Sequence, residues 1–83
     1  MNLKQAKNLF DEMVDLASQL EDDSLNDAME SLYTEVGKSK TEYDVLKVTS
    51  ELMFYVDECK DNQNEDLVLE IQELYNNMQD ELE

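Results

Sequence analysis

Eighty-three residues without a proline and with a single glycine offer almost nothing that would interrupt a helix, since those two residue types are the strongest local breakers of helical backbone. Apolar residues recur at intervals of three and four, a spacing that sets them on one side of a helix, and no stretch shows the period-two alternation of a half-buried strand. The chain is therefore expected to be all-α: a single domain forming a small four-helix bundle, or two packed αα-hairpins, mostly antiparallel.

Leu3, Ala6, Phe10, Met13, Val14, Ala17 and Leu20 form the first stripe, with Asn2 as N-cap and Gln5 in the capping-box position. Glu21, Asp22 and Asp23 make a polar joint. Ser24, with Asp27 three residues later, reads as the next N-cap, ahead of Leu25, Ala28, Met29, Leu32, Tyr33 and Val36. Gly37 reads as a left-handed stop. Thr41 and Asp44 repeat the cap signal before Val45, Val48, Leu52, Tyr55, Val56 and Cys59. After the polar residues Lys60 to Gln63, Asn64 is placed to cap a fourth helix with Leu67, Val68, Ile71, Leu74, Tyr75, Met78 and Leu82 inward. The hairpins span residues 2–37 and 41–82, and such short joints make consecutive helices antiparallel neighbours. A shift of 42 residues superimposes Leu3 on Val45, Phe10 on Leu52, Val14 on Val56, Leu25 on Leu67 and Leu32 on Leu74. Both an internal duplication and the phase match of any two equal hairpins give that pattern.

Against this regular apolar pattern, 22 Asp and Glu face only 6 basic residues, all Lys, for a net charge of −16. Without His no side chain titrates unperturbed near neutrality, and without Arg there is no bidentate clamp for phosphate or carboxylate. Most enzyme templates fail on those two absences, so the expectation is a protein that is not an enzyme and holds no metal or cofactor. So acidic a surface also argues against direct binding of nucleic acid or an anionic membrane, both of which are polyanions. The longest apolar run, Leu52 to Val56, has five residues, against the roughly 7 to 15 of a signal peptide and the about 20 of a membrane span. A soluble cytoplasmic protein is expected. The lone Cys59 suits a reducing compartment, and its alignment with Val48, Leu52 and Val56 marks it as a buried structural thiol.

The charge is blocky. Residues 1–10 carry +2, 11–37 carry −9, 38–60 carry −1 and 61–83 carry −8. No basic residue stands between Lys7 and Lys38 or after Lys60. Carboxylates crowded in this way repel one another and lower stability, which invites a reason for keeping them. Asp11, Glu12 and Asp15 on the first helix, Asp27 and Glu30 on the second, and Glu70, Glu73 and Asp80 on the fourth project away from the apolar stripes. One helical turn sets Asp11 and Asp15 roughly 6 Å apart, while duplex DNA presents about one charge per 1.7 Å of axis. Carboxylates from adjacent helices can thus approximate a phosphate array and occupy the nucleic-acid-binding groove of another protein. In size and charge the chain is similar to small acidic inhibitors of restriction, defence and repair proteins. That resemblance implies a DNA-mimic-like inhibitor whose partner presents a basic surface, of the kind carried by phages or mobile elements.

Asp11-Glu12-Met13-Val14-Asp15 followed by Asp27-Ala28-Met29-Glu30 also resembles the paired acidic motif with which all-α nucleotide pyrophosphohydrolases hold Mg²⁺. It departs from that motif in having Asp where Glu is usual at Asp11, Asp15 and Asp27, and Glu30 where an Asp closes it. Glu12 and Asp15 also fall opposite Phe10, Val14 and Ala17, whereas a metal cluster inside a bundle faces inward. The stretch from Asp61 is a poor calcium loop, with Asp66 where Gly is needed and Gln72 where a bidentate Glu is needed.

Tyr43 and Phe54 lie nearly opposite Val45 and Val56 on a helical wheel, and Leu69 is displaced in the same way on the fourth helix. Either the third helix is central and buried on two sides, or these residues form an exposed apolar patch for a partner or a second copy. In that second case the protein is a helical adaptor or immunity-type protein, with its acidity serving solubility.

Overall fold

The computed structural model describes residues 1–59 and 65–82, which form four helices: α1 (Leu3–Ser18), α2 (Asp23–Lys38), α3 (Glu42–Cys59) and α4 (Glu65–Leu82). No strand occurs among the described residues. The start of α1 is a capping box: the Asn2 side chain accepts from the Gln5 N–H at 2.8 Å, and Gln5 Oε1 accepts from the Asn2 N–H at 2.9 Å. At α3, the Thr41 hydroxyl accepts from the Asp44 N–H at 3.2 Å and the Asp44 carboxylate accepts from the Lys40 N–H at 3.3 Å. Asn64 and the joint at 60–63 lie outside the described residues.

Two expected helix ends differ. The N-cap of α2 is Asp22 rather than Ser24: its backbone is extended and its carboxylate accepts from the Leu25 N–H at 2.8 Å. Asp caps at least as well as Ser, and its charge is favourable at the positive end of the helix dipole. Gly37 is not a left-handed stop, because no glycine has a positive φ and α2 continues through it to Lys38, with Ser39 as C-cap. The left-handed residue is Glu21, at φ 52°. There the N–H groups of Leu20 and Glu21 donate to the carbonyls of Ala17 and Ser18, and the turn tucks Leu20 into the core, 1% exposed.

Phe10, Met13, Leu20, Leu25, Leu52, Ile71 and Met78 are fully buried, so every helix supplies a large side chain to one core. Each such residue is worth about 1.5–3 kcal/mol over its exposed state. Tyr33 and Tyr55, expected inside, are instead 55% and 36% exposed, while Thr49 and Met53 are buried. On α3 the reason is that the helix packs against all three others, so its buried face is wide and centred nearer Thr49 and Met53 than a single stripe indicates; Tyr33 lies at the flank of the α2 stripe, beside the groove to α1. The Thr49 hydroxyl donates to the Val45 carbonyl at 2.7 Å, which satisfies it inside the core.

The closest pairings are α2 with α3 and α1 with α4, followed by α1 with α3 and α3 with α4; α1 and α2 touch less, and α2 does not pack appreciably on α4. This is a flattened bundle, with α1 and α3 back to back across the short diagonal and α2 and α4 at the two edges. Its principal extents are 34 × 23 × 16 Å, and its radius of gyration of 11.8 Å is about that of a compact chain of this length. One broad face therefore runs α4–α1–α2, and the opposite one runs α2–α3–α4.

Candidate acidic face and aromatic face

The α4–α1–α2 face gathers the candidate carboxylates. Glu12 and Asp15 are exposed on the outer side of α1, and Asp11 is half-buried beside them. Glu30 lines the groove between α1 and α2 with Val14, Met29 and Tyr33. On the other flank of α1, Glu70 and Glu73 line a groove with Leu16, Leu74 and Asn77. Helical spacing sets Asp27 and Asp80, both exposed, on the outer edges formed by α2 and α4. The structure thus brings the predicted set around α1 and spreads its last two members to the rim.

Other acids have a local task that these eight lack. Asp22 and Asp23, Glu42 and Asp44, and Glu65 and Asp66 stand at or in the first turns of α2, α3 and α4, where negative charge complements the helix dipole. Asp15 and Asp80 stand in last turns that contain no basic residue, where the dipole disfavours them. No lysine forms an ion pair with any of the eight among the described residues. The carboxylates proposed for contact are therefore ones that the fold does not use. Nor do Asp11, Glu12, Asp15, Asp27 and Glu30 converge as a metal cluster: among the described residues no group of three or more His, Cys, Asp or Glu is placed to hold an ion.

The α3 side differs in character. Tyr43 and Phe54 are 63% and 62% exposed, and Leu69 on α4 is 56% exposed. Phe54 meets Tyr55 edge to face, with ring centroids 5.8 Å apart and an interplanar angle of 86°. The two rings line a groove of about 450 Å³ against α2 with Ala28, Leu32, Glu35 and Glu51. Leu69 and Tyr43 do not line that groove, so the three apolar candidates are not one pocket. The seam to α4 is polar: the Ser50 and Tyr75 hydroxyls share a hydrogen bond of 2.6 Å, and Gln72 Nε2 donates to the Asp57 carboxylate at 3.2 Å.

Cys59 is free and buried. Burial pushes its thiol above the ordinary value, and the Asp22 carboxylate, by its charge and by accepting a hydrogen bond from the thiol, pushes it further, with Glu58 adding to this. A thiol held protonated in this way is a poor nucleophile.

No family model, curated protein or solved structure matches this chain. The functional reading therefore stands on the two faces. Sequence reasoning missed Tyr33 and Tyr55 as surface residues because they sit on the flanks of their stripes, where only the neighbouring helices decide exposure. It also treated all carboxylates alike, although position relative to the helix ends separates those that support the fold from those that burden it. Among the described residues, no helix is long and apolar enough to cross a membrane.

Proposed function

We propose that this chain is a non-enzymatic acidic binding protein that acts in the cytoplasm by covering the basic, nucleic-acid-binding surface of another protein. The observation that carries the reading is the surplus of carboxylates around α1. Asp11, Glu12, Asp15, Asp27, Glu30, Glu70, Glu73 and Asp80 lie on or bordering one face, with no ion pair to a lysine among the described residues and without a capping role. In the complex they lose water and pair with Lys or Arg of the target, which speeds encounter and sets specificity. An inhibitor of a defence or repair protein, encoded by a phage or mobile element, is the biological setting such a surface suits.

The test starts from the protein that co-purifies with the tagged chain. Its affinity should fall steeply between low and moderate salt, and duplex DNA or RNA should compete for the same surface. Binding indifferent to salt and to competitor nucleic acid rejects the reading. The exposure of Phe54 and Tyr43 favours a second reading, an adaptor anchored through apolar contacts that include Leu69. In that case Phe54→Ala abolishes partner binding while Asp15→Lys leaves it intact.

A further inference from the structure

The groove between α2 and α3 joins two kinds of surface. Phe54 and Tyr55, whose rings meet edge to face, form its aromatic wall, and Phe54 is 62% exposed, so open ring surface remains. Glu35 of α2 and Glu51 of α3, both exposed, line the same groove from opposite helices. Ala28 and Ser31 supply only short side chains on the α2 side, which leaves a space of about 450 Å³. Glu51 and Phe54 stand three residues apart on α3, about 4.5 Å of helical rise, so one flat cation can meet a carboxylate and a ring together.

We propose that this groove receives the arginine side chain of a basic protein segment. The argument is charge complementarity. Two carboxylates line the groove and no cation does. Lys38 and Lys47 line the adjoining groove, which shares Glu35 and Glu51, yet neither forms an ion pair with them among the described residues. A purely apolar occupant would cover the two carboxylates without pairing them, at a cost in desolvation. A second copy of the chain has no arginine and brings 22 further acids. A guanidinium satisfies both surfaces: its plane stacks on an aromatic ring, and its N–H groups donate to carboxylate oxygens. Lysine, a compact and strongly hydrated charge, matches the carboxylates but not the ring. The groove lies away from the carboxylates around α1, and the proposal does not rest on their role.

Titration of the intact protein with the blocked tripeptide acetyl-Ala-Arg-Ala-amide, followed by NMR, tests it. At about 0.15 M salt, where charges beyond about 8 Å are screened, saturable amide shifts should centre on the α2 and α3 residues that line the groove. The arginine methylene protons should move upfield, the signature of a ring face. The lysine peptide should bind more weakly, and the peptide carrying citrulline, neutral but of the same shape, should not bind. Phe54→Ala, at an exposed position, should keep its helical circular dichroism and weaken binding about threefold or more. Glu35→Gln and Glu51→Gln should each weaken it about twofold or more, while Asp15→Asn and Glu73→Gln, on the α1 side, should leave it unchanged. Those two controls separate this site from the acidic face, which can fail or hold by itself. No saturable shift at millimolar peptide, shifts centred on α1 and α4, citrulline equal to arginine, or binding unchanged by Phe54→Ala overturns the proposal.

Discussion

Asp22 does two things at once, and a pair of substitutions separates them. Its carboxylate accepts from the Leu25 N–H at 2.8 Å to start α2, and it raises the Cys59 thiol at the end of α3. Asp22→Ala removes both effects. Loss of an N-cap acceptor costs about 1 kcal/mol, and in a domain of this size that lowers Tm by about 4–8 °C. Asp22→Asn keeps a side-chain oxygen that caps about as well and gives up only the charge of a half-buried carboxylate, worth a few tenths of a kcal/mol at a helix start. Its Tm should stay within about 3 °C of the parent. Both variants should bring the thiol down toward the ordinary value of about 8.5, without reaching it because burial remains. The assays are thermal circular dichroism and the rate of Cys59 alkylation by iodoacetamide across alkaline pH. Because the folded state raises the thiol, its contribution to stability is complete below about pH 8.5 and is lost as pH rises through the folded value. The parent Tm should therefore decline more steeply in alkali than that of Asp22→Asn. Equal destabilisation by the two variants refutes the capping role, and alkylation profiles that superimpose on the parent refute the coupling to Cys59.

Gly37 lies inside α2 at an ordinary helical φ, and a Cβ there meets nothing within 4 Å. Gly37→Ala should therefore raise stability by about 0.4–1 kcal/mol in chemical denaturation. Phe10 is completely buried, so Phe10→Ala should cost about 3–5 kcal/mol. Of the about 4–12 kcal/mol available to a chain this long, that leaves a partly unfolded protein by calorimetry. Asp15→Lys places a cation in the last turn of α1, four residues after Asp11, and should stabilise by about 0.3–1 kcal/mol. The same variant should weaken the partner complex, so titration calorimetry and Tm should move in opposite senses; a gain in both measurements removes Asp15 from the contact surface.

Fold class, helix number and most inward residues could be read from periodicity alone, because Phe10, Leu25, Leu52 and Ile71 occupy the centres of their stripes. The capping box at Asn2 and the cap at Thr41 were equally plain, since both depend on residues three apart. What the sequence left open was decided between helices. Gly37 is a stop by type, but α2 continues one residue further and Ser39 caps it. Glu21 takes the left-handed turn although nothing in its side chain asks for it. Tyr33 and Tyr55 share the period of the core yet sit at the flanks of their stripes. The acidic candidates were recognised as a group, but their convergence around α1 follows from the short diagonal between α1 and α3, which no local pattern encodes.

That diagonal arrangement also orders the helices in time. Contacts of α2 with α3 span a joint of only three residues, 39–41, whereas Leu16 and Leu74 share a groove although 58 positions apart in the chain. Loop-closure entropy rises with separation, and local pairings are gained earlier on the way to the native state. The α2–α3 pair is then the folding nucleus and the α1–α4 seam the last to close. In native-state hydrogen exchange the amides of α3 should outlast those of α4, and the groove holding Glu70 and Glu73 should be the first part of the surface to breathe open.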